Sequence, residues 1–196
     1  MEPSFGANAP QDDDGATAQR HMRCGLALLA VGSHEATSQA IVHFERAIEL
    51  REITLDRLCA TAVEESVEEA RWQARYDLAA AWLNRAAALA NVTAGGDDTD
   101  VLSSLDAAVA LLEGLPVTTH PPFASRLAVA LHNRAQYRLR SGSETWRAIP
   151  DVVRALDLFP LDDSVDARRG AAAAWTTLAE AQLREPAPDA WLRAAQ

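Results

Sequence analysis

One phrase occurs three times in this chain. "AWLNRAAAL" at Ala81–Leu89 returns as "ALHNRAQYRL" at Ala130–Leu139 and again as "AWTTLAEAQL" at Ala174–Leu183. The bulky residues Trp82, Leu131 and Trp175 stand 49 and 44 residues apart, and Ala86, Ala135 and Ala179 each follow four positions later. A small residue one helical turn beyond a large one lets a neighbouring helix come close. A second pattern alternates with the first. Ala40/Phe44/Ala47/Leu50 corresponds to Val101/Leu105/Ala108/Leu111 and to Ala148/Val152/Ala155/Leu158, the last followed by Pro160. A helix pair with two apolar faces cannot cover both by itself, so repeated pairs stack and share one continuous core. The repeat therefore predicts an all-α chain, an α-solenoid of antiparallel helix hairpins with seven to nine helices. Trp82 and Trp175 are expected to turn inward.

Composition agrees with a helical reading. Roughly a fifth of the residues are alanine, the strongest helix former, and no β-branched run alternates as a strand would. The 196 residues suit one domain with a real core. Net charge is −10, and all 18 basic residues are arginine. Nucleic-acid binding depends on neutralising phosphates, so an acidic chain without a basic stripe points away from it. Cys24 and Cys59 lack metal spacing and read as small buried hydrophobes of a reducing compartment. No apolar run approaches the length of a membrane span, and residues 1–19 lack the basic and apolar regions of a signal peptide. A cytoplasmic protein is expected.

Local signals divide the chain. Residues 1–15, with Asp12-Asp13-Asp14, read as a disordered acidic arm, and residues 16–196 as a single repeat domain. Gly32 stops a first helix over 16–31, and Ser33 caps the next, with Ala36, Ala40, Phe44, Ala47 and Leu50 on one stripe. Residues 52–63 read as a separate short helix. A long helix over 66–91 carries Trp72, Tyr76, Ala79, Leu83 and Ala86 on its buried face. Further helices follow over 99–113, 122–140 and up to Leu158, where Pro150 should bend the helix or delay its start. Asp163 or Ser164 caps a helix from 165, and Pro186-Ala187-Pro188 sets off a final short one.

The two patterns together resemble the tetratricopeptide repeat over about residues 20–184. "WTTLAEA" is similar to that family's first helix and "AIVHFERAIEL" to its second, although the units here run 44–49 residues rather than 34. The resemblance implies that first helices line an inner groove and second helices form the outer surface. Asparagines at the matching place in such domains commonly contact a ligand.

At 100° per residue, the side of the helix away from the bulky residue carries Leu83, Asn84, Ala87 and Asn91. In the next repeat it carries His132, Asn133, Gln136 and Arg140, and in the last Thr176, Thr177, Glu180 and Arg184. The candidate partner-binding set is Asn84, Asn91, His132, Asn133, Gln136, Arg140, Thr177, Glu180 and Arg184. A carboxamide offers donors and an acceptor to a peptide backbone, but it can equally bond a neighbouring helix or face water. His132, Gln136, Arg140 and Arg184 would add donors for an acidic or C-terminal carboxylate. A two-carboxylate clamp of the lysine type has no lysine to build it. Arg85 and Arg134 sit at the edge of the buried face and should pair with acidic residues on neighbouring helices.

No catalytic or metal motif accompanies these features. The five histidines form no HExxH, and GxGxxG, GxxxxGK[ST] and GxSxG are missing. The sequence thus predicts a non-catalytic interaction module without cofactor or metal, an adaptor or scaffold that holds a protein or peptide partner in the groove. The alternative is a self-associating subunit of a homo-oligomer, pairing through Trp191 and Leu192 or through the stripe on 34–50.

Overall fold

The computed structural model describes residues 13–61, 65–92, 99–142 and 145–184. Those residues form seven α-helices and no strand: α1 Asp13–Val31, α2 His34–Ala60, α3 Glu65–Val92, α4 Thr99–Glu113, α5 Pro121–Ser141, α6 Ala148–Leu158 and α7 Val165–Arg184. Each packs on the next, and α5 also touches α7. The chain is an all-α solenoid of antiparallel hairpins: α1 with α2, α3 with α4, and α5 with α6, followed by α7.

Short-range chemistry sets the helix ends. Gly32 takes φ +73°, a left-handed conformation that glycine adopts without a Cβ clash, and Ser33 Oγ then accepts from the Ala36 N–H. At the other hairpin turn Gly142 takes φ +71° at the end of α5. Ser164 caps α7 through the Ala167 N–H at 3.1 Å. A single 3₁₀ turn, Thr145–Arg147, delays α6, so Pro150 falls in its first turn, where a missing N–H costs nothing.

Several local expectations are corrected. Residues 52–60 are no separate helix: α2 runs unbroken from His34 to Ala60, because nothing in "EITLDRLCA" breaks a helix and Thr54 bonds back to the Leu50 carbonyl. Asp13 to Gly15 begin α1 instead of ending a disordered arm, with Asp14 paired to Arg57 at 2.6 Å. The rest of that arm, and the final short helix expected after Pro188, lie outside the described residues. Cys24 and Cys59 are exposed, not buried. Trp175 is 61% exposed and does not turn inward, since no described helix lies beyond α7. Leu131 is buried as expected, and Trp82 is half-buried against the core.

Alanine dominates the helix contacts. Ala79, Ala128, Ala135, Ala155 and Ala174 are fully buried in one large cluster, alongside Leu112, Leu127, Leu131 and Val152. A second cluster joins Met22, Ala40, Phe44 and Ala47 to Leu78 and Ala81, so the stripe on α2 is spent inside the chain and is not open to a second copy. The close approach is tightest at Gly25, where a Cβ would lie 2.5 Å from the edge of the fully buried Phe44 ring. Gly25→Ala is accordingly expected to destabilise by about 1–3 kcal/mol through overpacking. Gly15→Ala, which meets nothing within 4 Å, should be neutral or gain up to about 1 kcal/mol of helix propensity. Urea midpoints of the two variants check this.

Candidate functional site

In "Asn-Arg-Ala", the phrase shared by α3 and α5, the three residues do three different things. The alanine is small and inward: Ala86 and Ala135 are both buried in the large core cluster. The arginine ties helices together. Arg85 donates to Glu45 Oε1 on α2 at 3.0 and 3.1 Å and to Ser104 Oγ on α4 at 2.6 Å. Arg134 donates to Asp106 on α4 at 2.8 Å and grips Asp151 on α6 with two bonds of 2.7 and 2.8 Å. These partners occupy equivalent places. Glu45 and Asp106 each follow the large residue of the second-helix pattern, Phe44 and Leu105, while Ser104 and Asp151 each precede it, before Leu105 and Val152.

The same preceding place in the first hairpin is His43, whose Nδ1 meets His21 Nδ1 at 2.9 Å. A polar tie thus recurs at one position of every second helix, with partners that change from hairpin to hairpin. Burial opposes the charge on Arg134, but the hydrogen bonds and charges of Asp151 and Asp106 outweigh it and hold its pKa above the ordinary arginine value. Arg138 adds a second cation to Asp151 at 2.6 Å.

The third residue, asparagine, faces outward. Asn133 is exposed and Asn84 half-buried. Side chains of an aromatic cluster connect the N-terminal half of α3 to the start of α5. Trp72 packs edge-on to His120 at 5.4 Å, Tyr76 against Phe123 at 5.4 Å, and the Tyr76 hydroxyl accepts from Arg126. The C-terminal halves of α3 and α5 border a cavity of about 470 Å³.

Alanines and aliphatic residues form part of its wall: Leu83, Ala86, Ala87, Ala90, Val101 and Leu105. The polar part is Asn91, Asn133, Gln136, Arg140 and Glu180, with Tyr137 beneath Arg140, its ring 5.2 Å from the guanidinium. Among the described residues no side chain bonds the amides of Asn91, Asn133 or Gln136. Of the two charged residues in the wall, Arg140 lies against Tyr137 and Glu180 is paired with Arg184.

Of the nine candidate partner-binding residues, the structure brings five to this cavity: Asn91, Asn133, Gln136, Arg140 and Glu180. Asn84 sits on the same face of α3 but outside the lining. His132 and Thr177 are not groove residues. Both are buried, with His132 Nε2 2.9 Å from the Thr177 hydroxyl, which also donates to the Ala173 carbonyl. They seal α5 to α7. Arg184 is exposed and bonded to the Leu139 carbonyl and to Glu180 at 2.6 Å, so its donors go to the chain itself. Tyr137, Ala90, Val101 and Leu105 were not foreseen. The last two come from α4, and no periodicity within α3 or α5 could have pointed to them.

Among the described residues no group of three or more His, Cys, Asp or Glu is placed to hold a metal ion, and no helix is long and apolar enough to cross a membrane. Comparison with protein-family models, with curated proteins and with solved structures finds no match for this chain.

Two outcomes follow from this geometry. Arg134→Ala strands the buried Asp151 with one cation and leaves Asp106 without its closest partner; a loss of about 2–4 kcal/mol is expected. Arg85→Ala, whose carboxylate partner is 44% exposed, should cost less, about 1 kcal/mol, and paired denaturation curves compare the two. The second outcome concerns acid. Burial lowers the His132 pKa, and burial with nearby His43, Arg46 and Arg20 lowers that of His21. An unfolded chain then binds more protons than the folded one as pH falls below the unperturbed value of 6.5, so stability drops on acidification. The urea midpoint should decrease from pH 7.5 toward about pH 5.5, and His132→Gln should flatten that slope in part.

Proposed function

We propose that this protein is a non-catalytic interaction module whose cavity between the C-terminal halves of α3 and α5 receives an extended segment of a protein partner. The reading rests on one observation. Three exposed carboxamides, Asn91, Asn133 and Gln136, line an alanine-floored cavity and have no side-chain partner of their own among the described residues. Carboxamides both donate and accept, so they match the alternating N–H and C=O groups of an extended backbone. The alanines leave room for small or medium apolar side chains. Arg140, stacked on Tyr137, offers a cation to one carboxylate of the segment, while the nearby Glu180 is already paired with Arg184 at 2.6 Å. A tetratricopeptide-like adaptor or scaffold works in this way, and stacked hairpins present such a trough without any moving part.

A random-peptide display library selected on the full chain tests the reading. Enriched peptides are expected to bind with an affinity that Asn133→Ala combined with Arg140→Ala weakens by about tenfold or more, one to two hydrogen bonds' worth. Both side chains are exposed, so the thermal midpoint should stay within a degree or two, as for surface positions generally. Peptides whose affinity is unchanged by the double substitution would remove the cavity as the binding site.

A further inference from the structure

The polar tie of the first hairpin is chemically unlike those of the other two. In the second and third hairpins the residue before the large second-helix side chain, Ser104 or Asp151, meets a guanidinium, a cation that is permanently charged. In the first hairpin that place is His43, and what it meets is a second imidazole. His21 of α1 brings its Nδ1 to 2.9 Å from the His43 Nδ1, with ring centres 5.1 Å apart. One proton serves this contact, since one neutral ring must donate and the other accept. When that proton sits on the Nε2 of its own ring instead, two Nδ1 lone pairs face the same space. Their neighbours in sequence, Met22 and Phe44, are buried in one cluster, so the core sets the distance between the two rings.

Two converging imidazole nitrogens are a donor pair for a divalent transition metal. Their separation selects a geometry. With metal–nitrogen bonds of about 2.0–2.1 Å, two ligands at a right angle stand about 2.9 Å apart, and two at the tetrahedral angle about 3.3 Å. The observed 2.9 Å is the right-angle edge of a tetragonal or octahedral site, which suits copper(II) and nickel(II) better than zinc(II). His21 is held in the neutral, metal-binding form by burial and then by His43, Arg46 and Arg20, which lower its pKa. The positive charge nearby is partly offset, because Arg46 is paired with Glu49 at 2.6 Å. Both rings are half-buried, so open coordination positions reach water. We propose that His21 and His43 form a two-histidine site for a copper(II)- or nickel(II)-type ion, bound through both Nδ1 atoms with water completing its coordination. The ion staples α1 to α2. The first hairpin thereby takes an exchangeable cation where the other two carry a built-in one, and α1, which ends the stack and packs chiefly on α2, has most to gain. The site stands apart from the cavity between α3 and α5.

Titration calorimetry of the full chain with nickel(II) chloride tests the site. Binding is expected, and His21→Gln or His43→Gln should each weaken it on the order of tenfold or more, no less than losing an outer-shell partner costs. His34→Gln, exposed at the start of α2, should change nothing. Nickel(II) should also raise the urea midpoint of the unsubstituted chain, because the folded state alone holds the two rings together, and should leave that of His21→Gln unmoved. A second measurement keeps both histidines in place. With Cys24→Ser and Cys59→Ser removing the two exposed thiols, the paramagnetic resonance spectrum of added copper(II) should show splitting from two nitrogens. An absence of nickel(II) binding, binding indifferent to both histidine substitutions, or a copper(II) spectrum without two-nitrogen splitting would overturn the proposal.

Discussion

Two guanidinium groups, each laid across three helices, hold the stack in register. Arg85 spans α2, α3 and α4, and Arg134 spans α4, α5 and α6. Alanine makes this necessary. Alanine contacts bring helices close, but a smooth surface of methyl groups resists sliding poorly, since little interlocks. A hydrogen-bonded ion pair is directional. At the buried Arg134–Asp151 pair the gain over an apolar substitute is small, yet breaking it is expensive, so a slipped register there is penalised more than the correct one is rewarded. The ties sit at equivalent places, and the repeat unit therefore carries its own alignment mark.

That mark changes along the chain in a physically consistent way. The arginine and the residue it meets on the preceding second helix read Arg85 with Glu45, then Arg134 with Asp106. The next equivalent places hold Leu178 and Val153, where both charges have been exchanged for apolar groups. Charge is lost on both sides together, which avoids leaving a carboxylate or a guanidinium half-buried and unpaired.

The cavity arises from how the two first helices are joined. Aromatic contacts clamp α3 and α5 at Trp72, Tyr76, His120 and Phe123, far from their C-terminal halves. Small residues at Ala86, Ala87 and Ala90 leave the other half unfilled, and polar residues from α5 and α7 rim it. The same alanines that permit close packing where a helix faces them create space where none does.

Helix content, the hairpin order and the outward-facing Asn133, Gln136 and Arg140 were legible in the sequence, because helical periodicity assigns each residue to a side of its own helix. The pairing of Arg85 and Arg134 with acids on neighbouring helices was legible for the same reason. Tertiary structure alone decided which helix each side would meet. It put His132 and Thr177 in contact between α5 and α7, brought Val101 and Leu105 of α4 to the cavity, and left Trp175 in solvent. Residue spacing fixes an angle about one axis; the neighbour found at that angle depends on crossing geometry and on where the stack ends, and neither is a property of any single helix.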